Sequence, residues 1–214
     1  MDLLLRIVFG APAFALAIMA HESAHAFAAS KLGDPTARNL GRVSLDPRRH
    51  FDPLGAIIYV ATMVFSQGQF GFGWAKPVPI NPFNFRDRRR DFMLSSLAGP
   101  VANLVQAAAW ALLLRLYSRF AVTTAGFDPF AFMILFGIII NVVLAVFNMI
   151  PIPPLDGSRL LAWMLPEDLA YRLDRLEPFG FVIVMALLFF GLFGVVFDLV
   201  GSPLLELFLR IAAG

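Results

Sequence analysis

Four long blocks of apolar residues constrain this chain more than any other feature of its sequence. Apolar residues dominate residues 3–30, 92–114, 130–150 and 179–200, without the alternation typical of amphipathic elements. A helix needs roughly 20 apolar residues to cross the hydrocarbon core of a bilayer. A soluble domain of 214 residues has too small an interior to bury a composition that is 59% hydrophobic. The sequence therefore predicts an α-helical multi-pass membrane protein with about four full spans.

Three shorter segments are predicted to differ from these spans. Residues 54–65 are apolar, but about 12 residues are too few to cross a bilayer, so we expect a re-entrant or partial helix. Residues 71–82 are rich in Pro, which favours an extended or small β segment. Residues 204–213 form a short tail that is expected to lie in the membrane interface. Because there is no internal repeat or long linker, residues 1–214 are predicted to form one membrane-embedded domain.

The distribution of basic residues predicts the orientation in the membrane. Residues 31–52 and residues 76–91 each carry five Lys or Arg beside apolar segments. Basic loops of this kind are typical of the cytoplasmic side, and both stretches share that side if residues 54–65 are re-entrant. The pattern is not that of a nucleic-acid-binding surface, so no nucleic-acid partner is expected. We predict a multi-pass protein of the cell membrane with these loops in the cytoplasm.

One polar cluster interrupts the first apolar block. His21, Glu22 and His25 form a His-Glu-x-x-His motif. On a helix the two imidazoles lie one turn apart on the same face, with the carboxylate beside them, which is typical of Zn²⁺ sites where the Glu acts on water. An ionisable side chain in hydrocarbon costs on the order of 3 kcal/mol on insertion scales. We therefore predict a functional metal site rather than a polar contact between packed helices.

A catalytic zinc site needs a third protein ligand, and the absence of Cys leaves imidazole and carboxylate groups as candidates. The soluble metzincin pattern is excluded, because Ala28 and Lys31 occupy the positions of its Gly and its third His. Asp156 is favoured, because it follows the third long block in a Pro-rich turn that can direct a carboxylate back toward the bundle. Asp198 is the poorer candidate, because it ends the last block on the opposite side. His50 lies among interfacial charges and is interpreted as a loop residue.

Two Asn residues lie on one face of the third long block. Asn148 is near its cytoplasmic end, at the depth of the predicted metal site, whereas Asn141 is two turns away. An amide N–H of Asn148 can stabilise a developing oxyanion, but an interhelical hydrogen bond explains Asn148 equally well. The hydrogen-bonding role is preferred for Asn141 and for Asn103.

Taken together, these residues resemble the site-2 protease family, the zinc-dependent intramembrane metalloproteases of peptidase family M50. The resemblance is carried by residues 21–25, 50–55, 72–82, 98–103 and 148–157. It implies that His21, His25 and Asp156 hold one Zn²⁺ per chain. It also implies that Glu22 is the catalytic base and that Asn148 steadies the reaction intermediate. The short form, without the PDZ or CBS domains of other branches, is expected.

These features predict a zinc endopeptidase that hydrolyses peptide bonds in or near the transmembrane segments of membrane proteins, with its site open toward the cytoplasm. Its expected partners are a transmembrane helix of the substrate and the lipid bilayer, and residues 71–80 are expected to accept the unwound substrate as an added strand. A non-proteolytic scaffold or chaperone with the same fold is the main alternative, and a zinc or proton transporter is a weaker one. The sequence does not identify the substrate, the triggering signal, any gating or the oligomeric state.

Overall fold

The computed structural model describes residues 2–69, 71–120 and 127–214. These residues are mostly helical, and no strand occurs among them. The α-helices, in chain order, are α1 (Asp2–Leu32), α2 (Thr36–Asn39), α3 (Pro47–His50), α4 (Pro53–Phe65), α5 (Arg88–Phe120), α6 (Pro129–Asn148), α7 (Gly157–Met164), α8 (Glu167–Asp174), α9 (Gly180–Phe189), α10 (Leu192–Val196) and α11 (Ser202–Ala213). Short 3₁₀ turns occupy Pro82–Asn84 and Glu177–Phe179, and a π-helical turn at Phe197–Gly201 joins α10 to α11.

Four helical segments in the described part of the chain are long and apolar enough to cross a membrane. They are Leu3–Leu32, Arg88–Phe120, Pro129–Asn148 and Leu192–Ala213. The first three coincide with α1, α5 and α6 and match the first three predicted spans. The predicted number of spans is therefore confirmed, whereas the fourth lies elsewhere in the sequence than expected.

α1, α5 and α6 form the centre of the bundle. Ala13 and Ala17 of α1 are fully buried in one cluster with Phe136 of α6. Small residues let helix backbones approach closely, which matters in a bilayer because lipid tails leave no hydrophobic force to drive helices together. Phe208 and Ala212 of α11 are buried in a second cluster with residues of α5 and α6. The last helix therefore covers the outside of this pair.

The last predicted span is wrong in its boundaries. Residues 179–200 do not form one helix, because Gly191 adopts a left-handed conformation (φ +72°) between α9 and α10. The fourth membrane-length helix runs instead from α10 through the π-helical turn to the end of α11. Residues 204–213, predicted as an interfacial tail, belong to this helix, and Asp198 lies exposed within the π-helical turn rather than at the end of a span. Because apolar residues continue through Gly191, hydropathy alone does not reveal the break.

The Pro-rich segment, residues 71–81, is neither helix nor strand, so the predicted β segment is not observed. Its amides bind separate acceptors: the Phe72 N–H donates to Thr62 Oγ1 (2.9 Å), and the Lys76 N–H donates to the His50 carbonyl (2.8 Å). Since residue 62 is near the end of α4 and residue 50 precedes α4, the chain returns alongside this helix to the end where it begins. This is the course predicted for a helix too short to span, and α4 has 13 residues.

The basic stretches of the sequence meet at one end of the bundle. The Arg42 guanidinium donates to the Lys76 carbonyl and so joins the first two stretches. The Arg89 guanidinium donates to the carbonyls of Ala162 (2.7 Å) and Leu165 (2.6 Å), which brings the end of α7 to the same place. All three connections are expected on one side of the membrane when α4 is re-entrant.

Candidate metal centre

α1 places two imidazoles side by side. His21 and His25 are four residues apart, so they project from one face of α1 on consecutive turns. Their Nε2 atoms are 3.0 Å apart, and each residue is only 7% exposed. The same ring atom of both residues therefore faces the same point in the interior of the bundle.

A carboxylate from the chain after α6 reaches this point. Asp156 immediately precedes α7, and its Oδ2 lies 3.3 Å from His21 Nε2 and 3.4 Å from His25 Nε2. One ligand atom from each of the three residues lies within 4.8 Å of the others. Asp156 Oδ2 is buried and makes no hydrogen bond to the residues that the structure describes. The structure thus brings together the three side chains that the sequence proposed as ligands.

The hydrogen bonds of the two rings determine which nitrogen faces the carboxylate. His25 Nδ1–H donates to the Ser95 carbonyl at 2.8 Å, and a carbonyl can only accept, so Nδ1 carries the proton. His21 Nδ1–H donates to Asn103 Oδ1 at 2.6 Å. In their neutral form the two rings therefore present unprotonated Nε2 atoms, as metal ligation by imidazole requires.

Asn103 is itself held in one orientation. It is fully buried, and its Nδ2 donates to the Ala17 carbonyl (3.2 Å) and to Asn141 Oδ1 (2.8 Å). Because the Ala17 carbonyl only accepts, the amide nitrogen must face it and the amide oxygen must face His21. The sequence pattern favoured helix-to-helix hydrogen bonds for Asn103 and Asn141 but missed that Asn103 orients a candidate ligand. The residue in the sequence that could have indicated this role is Gly99, which lies one turn before Asn103 on the same face of α5.

α5 approaches the imidazole pair closely at Gly99. A Cβ atom at this position would lie 2.4 Å from His25 Nε2 and 2.6 Å from His21 Cε1. Any larger residue must therefore displace a ring, since packed interiors have no spare room. The close backbone of Gly99, the unprotonated Nε2 atoms and the free Asp156 oxygen therefore surround a small site. Its donor set of two imidazoles and one carboxylate fits Zn²⁺.

Glu22, next to His21 in the sequence, contacts the Pro-rich segment. Its Oε2 accepts the Val78 N–H at 2.7 Å. Pro77 and Pro79 carry no N–H, so Val78 is the single backbone donor among these three residues. No hydrogen bond to Glu22 Oε1 occurs within the described residues, which leaves this oxygen available to water.

Two other candidate residues lie outside this group. Asn148 ends α6, and one of its amide N–H groups donates to the Leu144 carbonyl one turn back (2.9 Å), so its role at an oxyanion stays a prediction. His50 is 1% exposed, and its Nε2–H donates to the Ser44 carbonyl (2.7 Å), which also accepts the Ser23 hydroxyl. His50 thus ties the chain before α3 to α1 and does not join the imidazole pair.

Asp34, just after α1, anchors the far end of the Pro-rich segment. It is fully buried, and its carboxylate accepts the Asn81 N–H (2.7 Å) and the Asn84 side-chain amide (2.8 Å), with Thr36 as a further donor. Burial raises the pKa of the Asp34 carboxyl, but these hydrogen bonds to the ionised form outweigh burial, so the pKa lies below its ordinary value. The ionised carboxylate therefore ties α1 to the segment that contacts Glu22.

Comparison with known proteins identifies the family. The sequence profile of Peptidase family M50 matches residues 120–191. The chain is 38% identical over 172 residues to YwhC of Bacillus subtilis, which covers 78% of this chain and 74% of that protein. It is 32% identical over 178 residues to Rip2 of Mycolicibacterium smegmatis (81% and 63% covered) and 31% identical over 193 residues to Rip2 of Mycobacterium tuberculosis (85% and 70%). The names of these relatives assign them provisionally as zinc metalloproteases. No solved structure gives a significant match.

These matches show that the chain belongs to peptidase family M50. The resemblance found in the sequence motifs is therefore confirmed at the level of the family. Membership supports a peptidase function for a bundle whose centre holds two imidazoles and a carboxylate.

Proposed function

We propose that this protein is a zinc-dependent intramembrane endopeptidase of the site-2 protease type, which cleaves peptide bonds in or near the transmembrane segments of membrane proteins. The observation that carries the proposal is the convergence of His21, His25 and Asp156 within a bundle of membrane-length helices. Two imidazoles and one carboxylate with an open fourth position form a ligand set of known zinc hydrolases. The family and the names of the relatives support the same activity.

The depth of the site suits a substrate that is itself a membrane helix. α1 ends at Leu32, ten residues after Glu22. At the helical rise this is about 15 Å along the axis. If Leu32 lies near the membrane surface, Glu22 and the imidazoles lie inside the apolar region. A membrane helix then reaches the site without leaving the bilayer.

Hydrolysis of the peptide bond would use both a metal ion and side chains of this protein. A zinc ion held by His21, His25 and Asp156 would supply Lewis-acid polarisation of water and of the substrate carbonyl at neutral pH. Glu22 moves the proton: its carboxylate takes a proton from the attacking water and returns it to the leaving amine. The Val78 N–H holds Oε2 of this carboxylate, which leaves Oε1 to receive the proton.

Asn148 is proposed to stabilise the oxyanion that develops on the substrate. It ends α6, eight residues before Asp156. One amide N–H is bonded to the Leu144 carbonyl, and the second N–H of the same amide is the donor for this role.

The Pro-rich segment is proposed to receive the unwound substrate as an added strand. The carbonyls of a helix are engaged in its own hydrogen bonds, so local unwinding must precede cleavage. The N–H groups of Gly73, Trp74 and Ala75 make no hydrogen bond to the described residues. Successive N–H groups of an extended chain point to opposite sides, so alternate ones among these donors can pair with an extended peptide. They lie three to five residues before Val78, which contacts Glu22.

The protein is proposed to lie in the cell membrane as one domain, with the site open toward the cytoplasm, because its basic stretches gather at that end. Since the chain has no Cys, single Cys variants report the side directly. Arg49 and Ser118 are exposed near opposite ends of the bundle. An impermeant maleimide added to intact cells is expected to label Ser118→Cys and to spare Arg49→Cys, and the reverse pattern would contradict the orientation.

The decisive experiment uses purified protein and a transmembrane peptide. Wild type is expected to bind about one zinc per chain and to cleave the peptide. Glu22→Gln is expected to keep the zinc and to slow cleavage by at least about 100-fold, the typical contribution of a general base. Glu167→Gln, at the exposed start of α8, is the matched control and should keep both properties.

Three outcomes would contradict the proposal. Cleavage by Glu22→Gln at the wild-type rate removes Glu22 from the reaction. Full cleavage after chelation of the metal removes the zinc mechanism. No cleavage by a zinc-loaded wild type supports the non-proteolytic scaffold instead.

A further inference from the structure

A basic cavity lies beside the Pro-rich segment, at the end of the bundle where the basic stretches meet. Its volume is about 400 Å³, and its walls include Leu40, Arg42, Arg48, Arg49 and Lys76. Four of these five side chains are positively charged, and no Asp or Glu is among the described residues that line the cavity. The cavity is separate from the imidazole pair of α1.

Most of these basic side chains have no carboxylate partner. Within the described ranges, Arg49 and Lys76 form no ion pair. Arg48 meets the Asp46 carboxylate at 3.9 Å, but its side chain is 93% exposed. Such a contact contributes little in water.

Basic side chains in a loop are usually exposed to solvent, but Arg42 is only 6% exposed. Its guanidinium donates to the carbonyls of Lys76 and Pro77 (3.3 Å for Pro77). Its Nε is buried and finds no acceptor in the part of the chain that the structure describes. A buried cation without a counter-ion is costly, and an anion in the adjoining cavity would offset this cost.

We propose that this cavity binds a phosphate-bearing anion, either the headgroup of an anionic phospholipid or free phosphate. Arg is suited to this chemistry, because its planar guanidinium can donate two hydrogen bonds to one phosphate group. Leu40 lines the cavity and is 58% exposed; Leu45 and Phe51, sequence neighbours of the lining arginines, are 56% and 61% exposed. A phospholipid can place its phosphate in the cavity and an acyl chain against Leu40.

Native mass spectrometry of the purified full chain in detergent tests this site with three probes: phosphatidylglycerol, phosphatidylcholine and inorganic phosphate. Wild type is expected to retain about one phosphatidylglycerol and to show no preference for phosphatidylcholine. Arg49→Gln is expected to weaken retention about tenfold or more, because it removes charge-assisted hydrogen bonds. Arg49 is exposed, so its replacement leaves the fold intact, whereas Arg42 also holds two backbone carbonyls.

The matched control is Arg38→Gln. Arg38 is exposed in the same basic stretch but does not line the cavity, so binding should stay within about twofold of wild type. Binding of inorganic phosphate that depends on Arg49 also supports the site and indicates a soluble anion. Equal weakening by both variants, or no binding of either anionic probe, overturns the proposal, because the charges then act only as a diffuse basic surface. This measurement involves neither zinc nor peptide cleavage. A negative result for the anion site therefore leaves the protease proposal unaffected, and the reverse also holds.

Discussion

The imidazoles and the carboxylate of the candidate metal centre are held in different ways. His21 and His25 project from a helix of 31 residues, and each Nδ1–H has a fixed acceptor on α5. Asp156 lies between α6 and α7, and its buried Oδ2 has no hydrogen bond within the described structure. Helix packing therefore orients the imidazoles in advance, whereas the contacts of the carboxylate would be completed by the proposed ion. The two halves of the site are expected to respond differently to substitution.

The largest effect is expected where the carboxylate is removed. Asp156→Ala deletes one of the three proposed ligands, so cleavage should fall by more than about 100-fold, a larger effect than the loss of a hydrogen bond that only supports a ligand. The Tm of the zinc-free protein should not fall, because the imidazoles keep their acceptors on α5. Zinc analysis, peptide cleavage and calorimetry measure these properties. Asp168→Ala, exposed in α8, should match wild type; full zinc content in Asp156→Ala would remove this carboxylate from the site.

A change on the imidazole side is expected to act on the fold as well. Gly99→Ala places a Cβ 2.4 Å from His25 Nε2, so the ring must move; overpacking of this kind costs about 1–3 kcal/mol of stability. Zinc affinity, measured by chelator competition, should fall together with Tm. A Cβ at Gly194 in α10 meets nothing within 4 Å, so Gly194→Ala should be neutral or stabilise the helix by up to about 1 kcal/mol. Equal effects of the two Ala variants would contradict the close approach of α5.

Loss of the hydrogen bond to His21 is expected to have an intermediate effect. Asn103→Leu removes the acceptor of Nδ1–H, and zinc affinity should fall about 10–100-fold. Asn103→Asp keeps an acceptor for His21 Nδ1–H but loses the Nδ2 donor to Ala17 and Asn141, so it should recover only part of this affinity. Gln106, one turn further along α5, donates to the Ala17 carbonyl only at 3.4 Å. Affinities of Asn103→Leu and Gln106→Leu that agree with each other would show that Asn103 does not orient His21.

The smallest effect concerns the pH dependence of stability at the far end of the Pro-rich segment. The pKa of folded Asp34 lies below its ordinary value of 3.8, so the ionised carboxylate stabilises the fold above that value, and this contribution is lost as the pH falls through the folded pKa. Asp34→Asn should lower Tm near neutral pH, by about 2–4 °C for each kcal/mol lost. Thermal melts should show this difference shrinking below about pH 4.

The matched control for this prediction is Asp168→Asn, because Asp168 is exposed. Its Tm should follow wild type at every pH. A Tm difference for Asp34→Asn that stays constant down to strongly acidic pH would show that the charge of Asp34 is not what stabilises this connection.

The parts of the site that the sequence predicted depend on local geometry. The helical period alone places His21 and His25 on one face, and hydropathy alone locates α1, α5 and α6. Asp156 is an intermediate case. Its Pro-rich turn and its position after α6 are local signals, but its approach to the imidazoles depends on how the helices pack.

The parts that the sequence missed depend on tertiary contacts or on one residue. Asn103 meets His21 because α5 crosses α1 closely, and the small residue Gly99 is a local signal of that crossing whose meaning depends on the packing of the two helices. The backbone of Gly191 divides an apolar stretch that hydropathy reads as continuous. The Pro-rich segment is held by side chains of α1 and α4 and not by a neighbouring strand. Its Pro content therefore did not indicate a β segment.

Zinc-edge X-ray absorption of the purified chain tests most directly whether the imidazole pair and the carboxylate share one ion. The expected spectrum contains about two imidazole nitrogens at roughly 2.0–2.1 Å and oxygen at roughly 2.0–2.2 Å, with about one zinc per chain. His25→Ala should lose one imidazole contribution. A zinc environment without imidazole, or an unchanged spectrum in His25→Ala, would contradict the shared site.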